Sequence, residues 1–242
     1  RVNHDIRALV NCLRNRVSVG VRPYVHLTAT SADIVDTARV LSYRDALLKV
    51  LLPDAKKLLS ILIGIARREA DTIQIGRTHG QHAVPITFGF TIAGYVSRLG
   101  LSIEHLEKAV YELLGMCSGA VGALNAASLI VDDPRALQRE ILAELDLVPA
   151  EHSTQIMPPE PFIRLFSEIT TMVGVLGNIA DDMRHLQRTE IGEVGEAFGE
   201  HQVGSSTMPH KRNPISFEQI KSFWKIVVPR LTTVMAAASA RQ

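Results

Sequence analysis

The chain has 242 residues, 46% hydrophobic but only 5% aromatic, with a formal net charge of +1. An aliphatic core of this kind favours helix packed on helix over a β-sandwich, and so balanced a charge excludes a broad basic face for nucleic acid as the first reading. Cys12 and Cys117 form neither a disulfide framework nor a metal-ligand spacing, and with no membrane-length apolar run or signal peptide legible the expectation is a cytoplasmic protein without metal, cofactor or membrane partner.

The chain opens with NHDI, where His4 and Asp5 are adjacent. Next comes HLTATSADIVDTA, residues 26–38, in which Thr30, Ser31 and Asp33 precede an apolar run. Those three residues are equally a helix cap and a place for a carboxylate or phosphate, because free backbone N–H groups point outward at a helix N-terminus. A first long helix is expected over residues 42–70, with Leu48, Leu52, Ala55, Leu59, Leu62 and Ala66 on one face. Pro53 lies within it and should kink the helix or mark its true start.

Residues 76–89, GRTHGQHAVPITFG, carry Gly76, Gly80 and Pro85, which impose a non-helical path past Thr78, His79, Gln81 and His82. Histidine exchanges protons near neutral pH, so two of them among hydroxyl and amide side chains are candidates for acid–base work. A second long helix starts near residue 86. Its apolar positions Ile92, Val96, Leu99, Ile103, Leu106, Val110, Leu113 and Cys117 alternate spacings of four and three, a heptad seam suited to a bundle.

After the loop HSTQIMPPEP at 152–161, which contains Gln155, a third long helix starts near residue 158 with Phe162, Leu165, Ile169, Met172, Leu176, Ile179, Met183 and Leu186 in similar register. Helices of roughly 45 Å that are apolar on more than one face, as at Leu47, Leu51, Leu58, Ile61 and Ile63, fit an all-α bundle continued into other subunits. The stretch GSSTMPHKRNP, 204–214, then interrupts the helices. Pro209 and Pro214 stop either neighbour from extending into it. Lys211 and Asn213 supply a cation and an amide beside the positive end of a following helix, a composition suited to closing on an anion.

That last stretch resembles the signature loop of the fumarase/aspartase superfamily, whose pattern is close to GSSxMPxKxNP. The segments 76–89 and 30–38 resemble two further blocks of the superfamily in the expected order, so the likeness runs from about residue 4 to residue 230. Gly80, the MPHKRNP form of the loop and the early His-Asp pair are most similar to the adenylosuccinate lyase branch. The carboxymuconate cycloisomerase branch shares MPHKRNP and is the alternative, as is a helical oligomer without activity.

The resemblance implies β-elimination of fumarate from adenylosuccinate, or from the related carboxamide intermediate of purine synthesis. Ser205 would be the general base, His79 the general acid and Glu218 its supporting carboxylate. Lys211, with backbone N–H groups, would stabilise the Ser205 alkoxide. Lys211 and Asn213 would hold the succinyl carboxylates, with Thr30, Ser31, Thr78 and Gln155 completing the cradle. His4 and His26 would contact the substrate, including its phosphate, and Asp5, Asp33, Ser206 and Met208 belong to the same substrate-binding set. The superfamily further implies a homotetramer whose active sites each draw on three subunits. It also implies a longer chain, of which residues 1–30 would end an N-terminal helical domain and 31–242 form the central bundle, with a C-terminal domain to follow.

Overall fold

A computed structural model describes residues 3–199 and 201–239. Eight α-helices dominate them: α1 (Asp5–Arg16), α2 (Ser31–Ala46), α3 (Leu52–Arg68), α4 (Phe88–Tyr111), α5 (Pro134–Ala143), α6 (Glu160–Leu186), α7 (Ile215–Val227) and α8 (Arg230–Ser239). Two small two-stranded sheets accompany them, an antiparallel pair β1 (Ile73–Thr78) and β2 (Gln81–Thr87), and a parallel pair β3 (Leu114–Gly115) and β4 (Val148–Pro149). The chain divides into two compact units, Arg1–Leu47 with Tyr111–Pro161 and Leu48–Val110 with Phe162–Gln242. The boundary expected at residues 30 and 31 falls inside the first unit.

In the first unit the buried face of α2 is polar as well as apolar. Asp33, Asp36 and Thr37 are buried beside Val40, at the three- and four-residue spacing that puts side chains on one helix face. The Asp33 carboxylate accepts the amides of Ser118 (2.8 Å) and Gly119 (3.0 Å), and that of Thr30 at its own helix start (2.8 Å). Thr37 Oγ1 is within 3.0 Å of both the amide and the carbonyl of Met116, and Asp36 accepts the amide of Met157 at 3.2 Å. Further along, Arg44 donates to the carbonyls of Leu145 and Asp146. One helix thus gathers two irregular loops by satisfying their backbone groups.

The second unit holds the aliphatic seams. Ile92, Leu99, Ile103, Leu106 and Val110 of α4 are buried, as are Leu165, Met172, Ala180 and Met183 of α6 and Leu52, Ala55 and Leu62 of α3. The seam expected on α4 ends earlier than its spacing implied, because the helix stops at Tyr111; Leu113 and Cys117 belong to the other unit. The helix expected over 42–70 is broken in two. A π turn at Leu47–Leu51 separates α2 from α3, and Pro53 occupies the first turn of α3, where its missing N–H costs nothing and its ring is relieved by the wider turn. The path expected to be non-helical at 76–89 is mainly a β-hairpin, formed by β1 and β2.

Two glycines mark close helix contacts. A Cβ on Gly89 would lie 2.7 Å from the Glu69 carbonyl, which lets α4 start directly against the end of α3. A Cβ on Gly177 would lie 2.7 Å from the Trp224 ring, so α6 meets α7 at a residue without a side chain. Lys221 lies 4.0 Å from the Trp224 ring centroid and pairs with Asp181 beside that crossing. α6 has 27 residues and the hydropathy of a possible membrane span, contrary to the expectation that no run of that length is present. Its buried Leu165, Met172, Ala180 and Met183 give that composition a packing role.

Two substitutions follow. Gly177→Ala should force Trp224 aside and lower stability by about 1–3 kcal/mol, read from denaturant midpoints. Leu106→Asp, at a fully buried position, should strand an unpaired charge in the seam and leave no cooperative thermal transition.

Candidate active site

The polar stretches fold into defined local geometry. Residues 204–214 form a closed loop in the second unit. Gly204 is buried, and a Cβ there would overlap the Lys211 carbonyl, so only glycine lets the two strands of the loop approach. Asn213 Nδ2 donates to the Gly204 carbonyl at 2.9 Å and ties the loop at its base. Within the loop, Ser205 Oγ accepts the backbone amides of Met208 (3.2 Å) and Thr207 (3.4 Å), and the Lys211 amide donates to the Met208 carbonyl at 3.1 Å. Two N–H dipoles aimed at one hydroxyl oxygen favour negative charge on it. Ser206, Met208 and Lys211 are exposed, and Ser206 Oγ lies 3.5 Å from Thr207 Oγ1.

A cleft of about 1000 Å³ lies beside this loop. Lys211, Asn213 and Glu218, three of the residues expected from sequence to act together, share its wall, with Glu218 in the first turn of α7. Ser205 and Ser206 stand on the loop but not on that wall. The wall also holds Arg184, Arg188, Arg212, His185 and His210 against only one other carboxylate, Glu190. Part of this charge is already engaged. Arg184 pairs with Asp181 at 3.1 Å, and Arg212 lies 5.4 Å from the Phe198 ring centroid. Arg212 keeps its charge in that ring contact, so Lys211, Arg188 and Arg212 against Glu190 and Glu218 leave the cleft a modest positive bias suited to an anion.

The hairpin presents His79 at its tip. His79 (φ 55°) and Gly80 (φ 75°) form the two-residue turn between Thr78 and Gln81, which pair in register. Two positive φ values in succession are the geometry of the tight hairpin turn that matches strand twist. Gly80 lines a second cavity of about 520 Å³ together with Gln74 and Arg77 of β1. His185 and Arg188 line both cavities, so a basic wall extends from the hairpin to the loop inside this unit. Arg77 pairs with Glu193, and Gln74 donates to the same carboxylate at 2.9 Å. The hydrogen bond from Arg77 holds the Glu193 carboxyl below the usual carboxylate range, with Gln74 assisting against the opposing effect of partial burial. Tyr95 donates to Asp182 of the second cavity, and burial, with that carboxylate, raises its phenol.

The remaining expected residues lie in the first unit. His4 caps α1 through Nδ1, 3.4 Å from the Arg7 amide, and Asp5 accepts the amide of Ile6 at 2.7 Å. His26 has a left-handed backbone (φ 65°) and a buried Nδ1 with no partner. Thr30 and Ser31 begin α2, and Gln155 is exposed on the loop before α6. Asp33, grouped above with the substrate-binding residues, is 3% exposed, with its carboxylate occupied by three backbone amides, and works here as a loop anchor.

The sequence reading passed over His185, Arg188, Glu193 and Glu196. Their signal was present in HLQRTEIGEVGE, residues 185–196, a polar run directly after a long apolar helix. It lacks the prolines that drew attention to the neighbouring loop.

A family model described as "Lyase" matches residues 1–228. The adenylosuccinate lyase of Pyrococcus abyssi is 40% identical over 235 residues, covering 95% of this chain and 51% of that protein. The adenylosuccinate lyase of Thermotoga maritima is 38% identical over 221 residues, covering 91% and 49%. Among solved structures, the 3-carboxy-cis,cis-muconate lactonizing enzyme of Pseudomonas putida superposes with a TM-score of 0.82 at 36% identity, covering 97% of this chain and 52% of that one. A fumarate lyase from Mesorhizobium sp. BNC1 gives 0.81 at 32%, covering 96% and 50%. The chain spans about half the length of the curated relatives it matches.

The lowered Glu193 carboxyl has a signed consequence for stability. A depressed folded value contributes stability that is present above the ordinary carboxyl value near 4.5 and is lost as pH falls through the lowered one. Glu193→Gln should therefore melt below the parent at pH 7, and the gap should close progressively in acid below pH 4.5; thermal melts across that range measure it.

Proposed function

The chain belongs to the lyase family of the fumarase/aspartase superfamily, and from that premise we propose that it is a carbon–nitrogen lyase of the adenylosuccinate lyase type. It eliminates fumarate from adenylosuccinate and from the related carboxamide intermediate of purine synthesis. The observation that carries the reading is Ser205 Oγ held by the amides of Thr207 and Met208 next to a cation-rich cleft.

The proton to be removed is next to a carboxylate and only weakly acidic, so both the base and the resulting dianion need electrostatic help. Ser205 is the base. Its alkoxide is favoured by the two amides and by the charge of Lys211. The enediolate that forms is stabilised by Lys211 and Asn213 at the succinyl carboxylates; one N–H of the Asn213 amide closes the loop, leaving the other for substrate. His79, on the exposed tip of a rigid hairpin, protonates the departing nitrogen, and Glu218 supports it. Thr78, Thr30, Ser31 and Gln155 complete the carboxylate cradle, with Asp5, Ser206 and Met208 beside it, and His4 and His26 bind toward the phosphate.

The working enzyme is a homotetramer whose sites combine residues of several subunits. What supports this is the apolar surface of the second unit. α7 buries none of its residues and leaves Phe223 and Ile226 more than half exposed, and Phe90, Leu101 and Ile61 on the other helices are exposed as well. Patches of this kind mark interfaces. The enzyme works in the cytoplasm, consistent with two free cysteines, one of which, Cys117, has its thiol pushed up to about 11 by burial and then by Asp33.

The superposition on a muconate lactonizing enzyme favours, as a second reading, a cycloisomerase acting on a carboxymuconate. The deciding assay offers each substrate to the full-length protein and follows fumarate release or loss of the muconate. Release of fumarate from adenylosuccinate supports the first reading; turnover of the muconate alone replaces it with the second. Ser205→Ala and His79→Ala should each lower kcat by about 10²–10⁴-fold. Calorimetry should find substrate binding retained in Ser205→Ala and weakened in Lys211→Ala, which removes a charge facing carboxylates. Near-normal turnover by Ser205→Ala would remove the serine from its role as base.

A further inference from the structure

We propose that Glu193 and Glu196 are positioning residues, and that the connector 187–196 after α6 is a strut holding the hairpin of His79 at one end and α7 with its loop at the other. The inference rests on the lyase reading above for its effect on turnover, but its geometry stands independently. Neither carboxylate lines the cleft, so neither is offered as a catalytic residue.

The connector doubles back directly below α6. The amides of Ile191 and Gly192 both donate to the Arg188 carbonyl, at 2.9 and 2.8 Å, and the Glu193 amide returns to the Leu186 carbonyl at 2.9 Å. Gly192 takes a left-handed φ of 62° at the reversal, a conformation in which a Cβ is strained. This path delivers the Glu193 carboxylate to Arg77 and Gln74 on β1. Gln74 is buried, and its Oε1 accepts from Thr91 Oγ1 on α4 at 2.7 Å. Hairpin, α4 and connector are therefore joined through the Gln74 amide and the Glu193 carboxylate, whose partner Arg77 lies two residues before His79 in sequence. Gly76 makes the approach possible. A Cβ there would lie 2.7 Å from the Val84 carbonyl, and the strand register shifts between Ile75 and Arg77, re-aiming Arg77 as bulges do.

The other end answers a defect in α7. Its cap position is Pro214, which offers no side-chain hydrogen bond, so the first amides of the helix need an outside acceptor. Glu196 supplies both oxygens, to Ser216 N at 3.2 Å and Phe217 N at 3.0 Å, and its charge opposes the positive helix end. Gln187 then braces the strut. Its Oε1 accepts the Glu196 amide at 3.1 Å, and its Nε2 donates to the Arg212 carbonyl in the catalytic loop at 3.2 Å. Hairpin and α7 thus each end on a carboxylate of one short connector, and Gln187 ties the loop to it.

The test uses the full-length enzyme with adenylosuccinate, together with amide hydrogen exchange. Glu193→Gln should lower kcat by about 10- to 100-fold while KM stays within about twofold, because substrate contacts are untouched. Arg77→Gln should match it, the double variant should be no worse than either single one, and the swapped pair Arg77→Glu with Glu193→Arg should recover part of the loss. Exchange should quicken about tenfold across residues 73–87 in Glu193→Gln and across 215–218 in Glu196→Gln, each leaving the other segment protected. Glu107→Gln, which breaks the surface pair with Lys56, should change neither readout. Full activity in both carboxylate variants, additive losses, or exchange quickened evenly over the protein would overturn the strut. Should the parent release no fumarate, the lyase reading fails by itself, and the segment-specific exchange still decides the strut.

Discussion

A chain that leaves a helix carries amides needing acceptors, and in both units of this protein carboxylates set on regular elements or on a tight connector supply them. Asp33 and Asp36 do so for the loops around residues 118 and 157, and Glu196 for the start of α7. A charged acceptor makes a stronger bond than a neutral one, and removing it strands buried donors at about 1–3 kcal/mol each. The irregular segments are therefore fixed by a handful of side chains while the aliphatic seams provide the bulk of cohesion. This division lets the loops carry polar chemistry without disturbing the helices.

The loop at 204–214 follows the same logic on a smaller scale. Gly204 allows the close approach, Asn213 closes the base, and Ser205 collects two amides that would otherwise face solvent. The bonds that satisfy the loop backbone are the bonds that make Ser205 Oγ a better home for negative charge. Local folding and the proposed chemistry thus use the same interactions. The nearby cations contribute at longer range, through a cleft in which Arg184, Arg188, Lys211 and Arg212 outnumber the carboxylates of Glu190 and Glu218.

The legible parts of the sequence were those governed by local rules. Leu99, Leu106 and Leu165 announced buried stripes through their spacing and are fully buried. Pro53 announced a break, although not the π turn that absorbs it. The hairpin was missed because Gly76, Gly80 and Pro85 were read as breakers, when His-Gly between β-branched runs is a two-residue turn with strands on each side. The roles of Glu193 and Glu196 were not legible at all. Each depends on partners far along the chain, Gln74 and Arg77 for one and residues 216 and 217 for the other, and no periodicity encodes a contact of that range. The loop at 204–214 was recognised through resemblance, whereas its internal hydrogen bonds required the folded backbone.

α6 links the cleft, the hairpin and α7. Its middle packs Gly177 against Trp224 of α7, and Asp181 near its end pairs with Lys221 one turn earlier on that helix. Its C-terminal turn carries Arg184 and His185 into the cleft, and its connector reaches both the hairpin and the cap of α7. A displacement of α6 would therefore move the loop of Ser205 and the hairpin of His79 together. Rigid-body motion of that kind preserves the geometry between paired groups, whereas motion of a free loop does not. Placing Ser205 and His79 on segments tied to the two ends of one braced element is how a chain of aliphatic helices would hold the proposed proton-transfer groups in the fixed geometry that such chemistry requires.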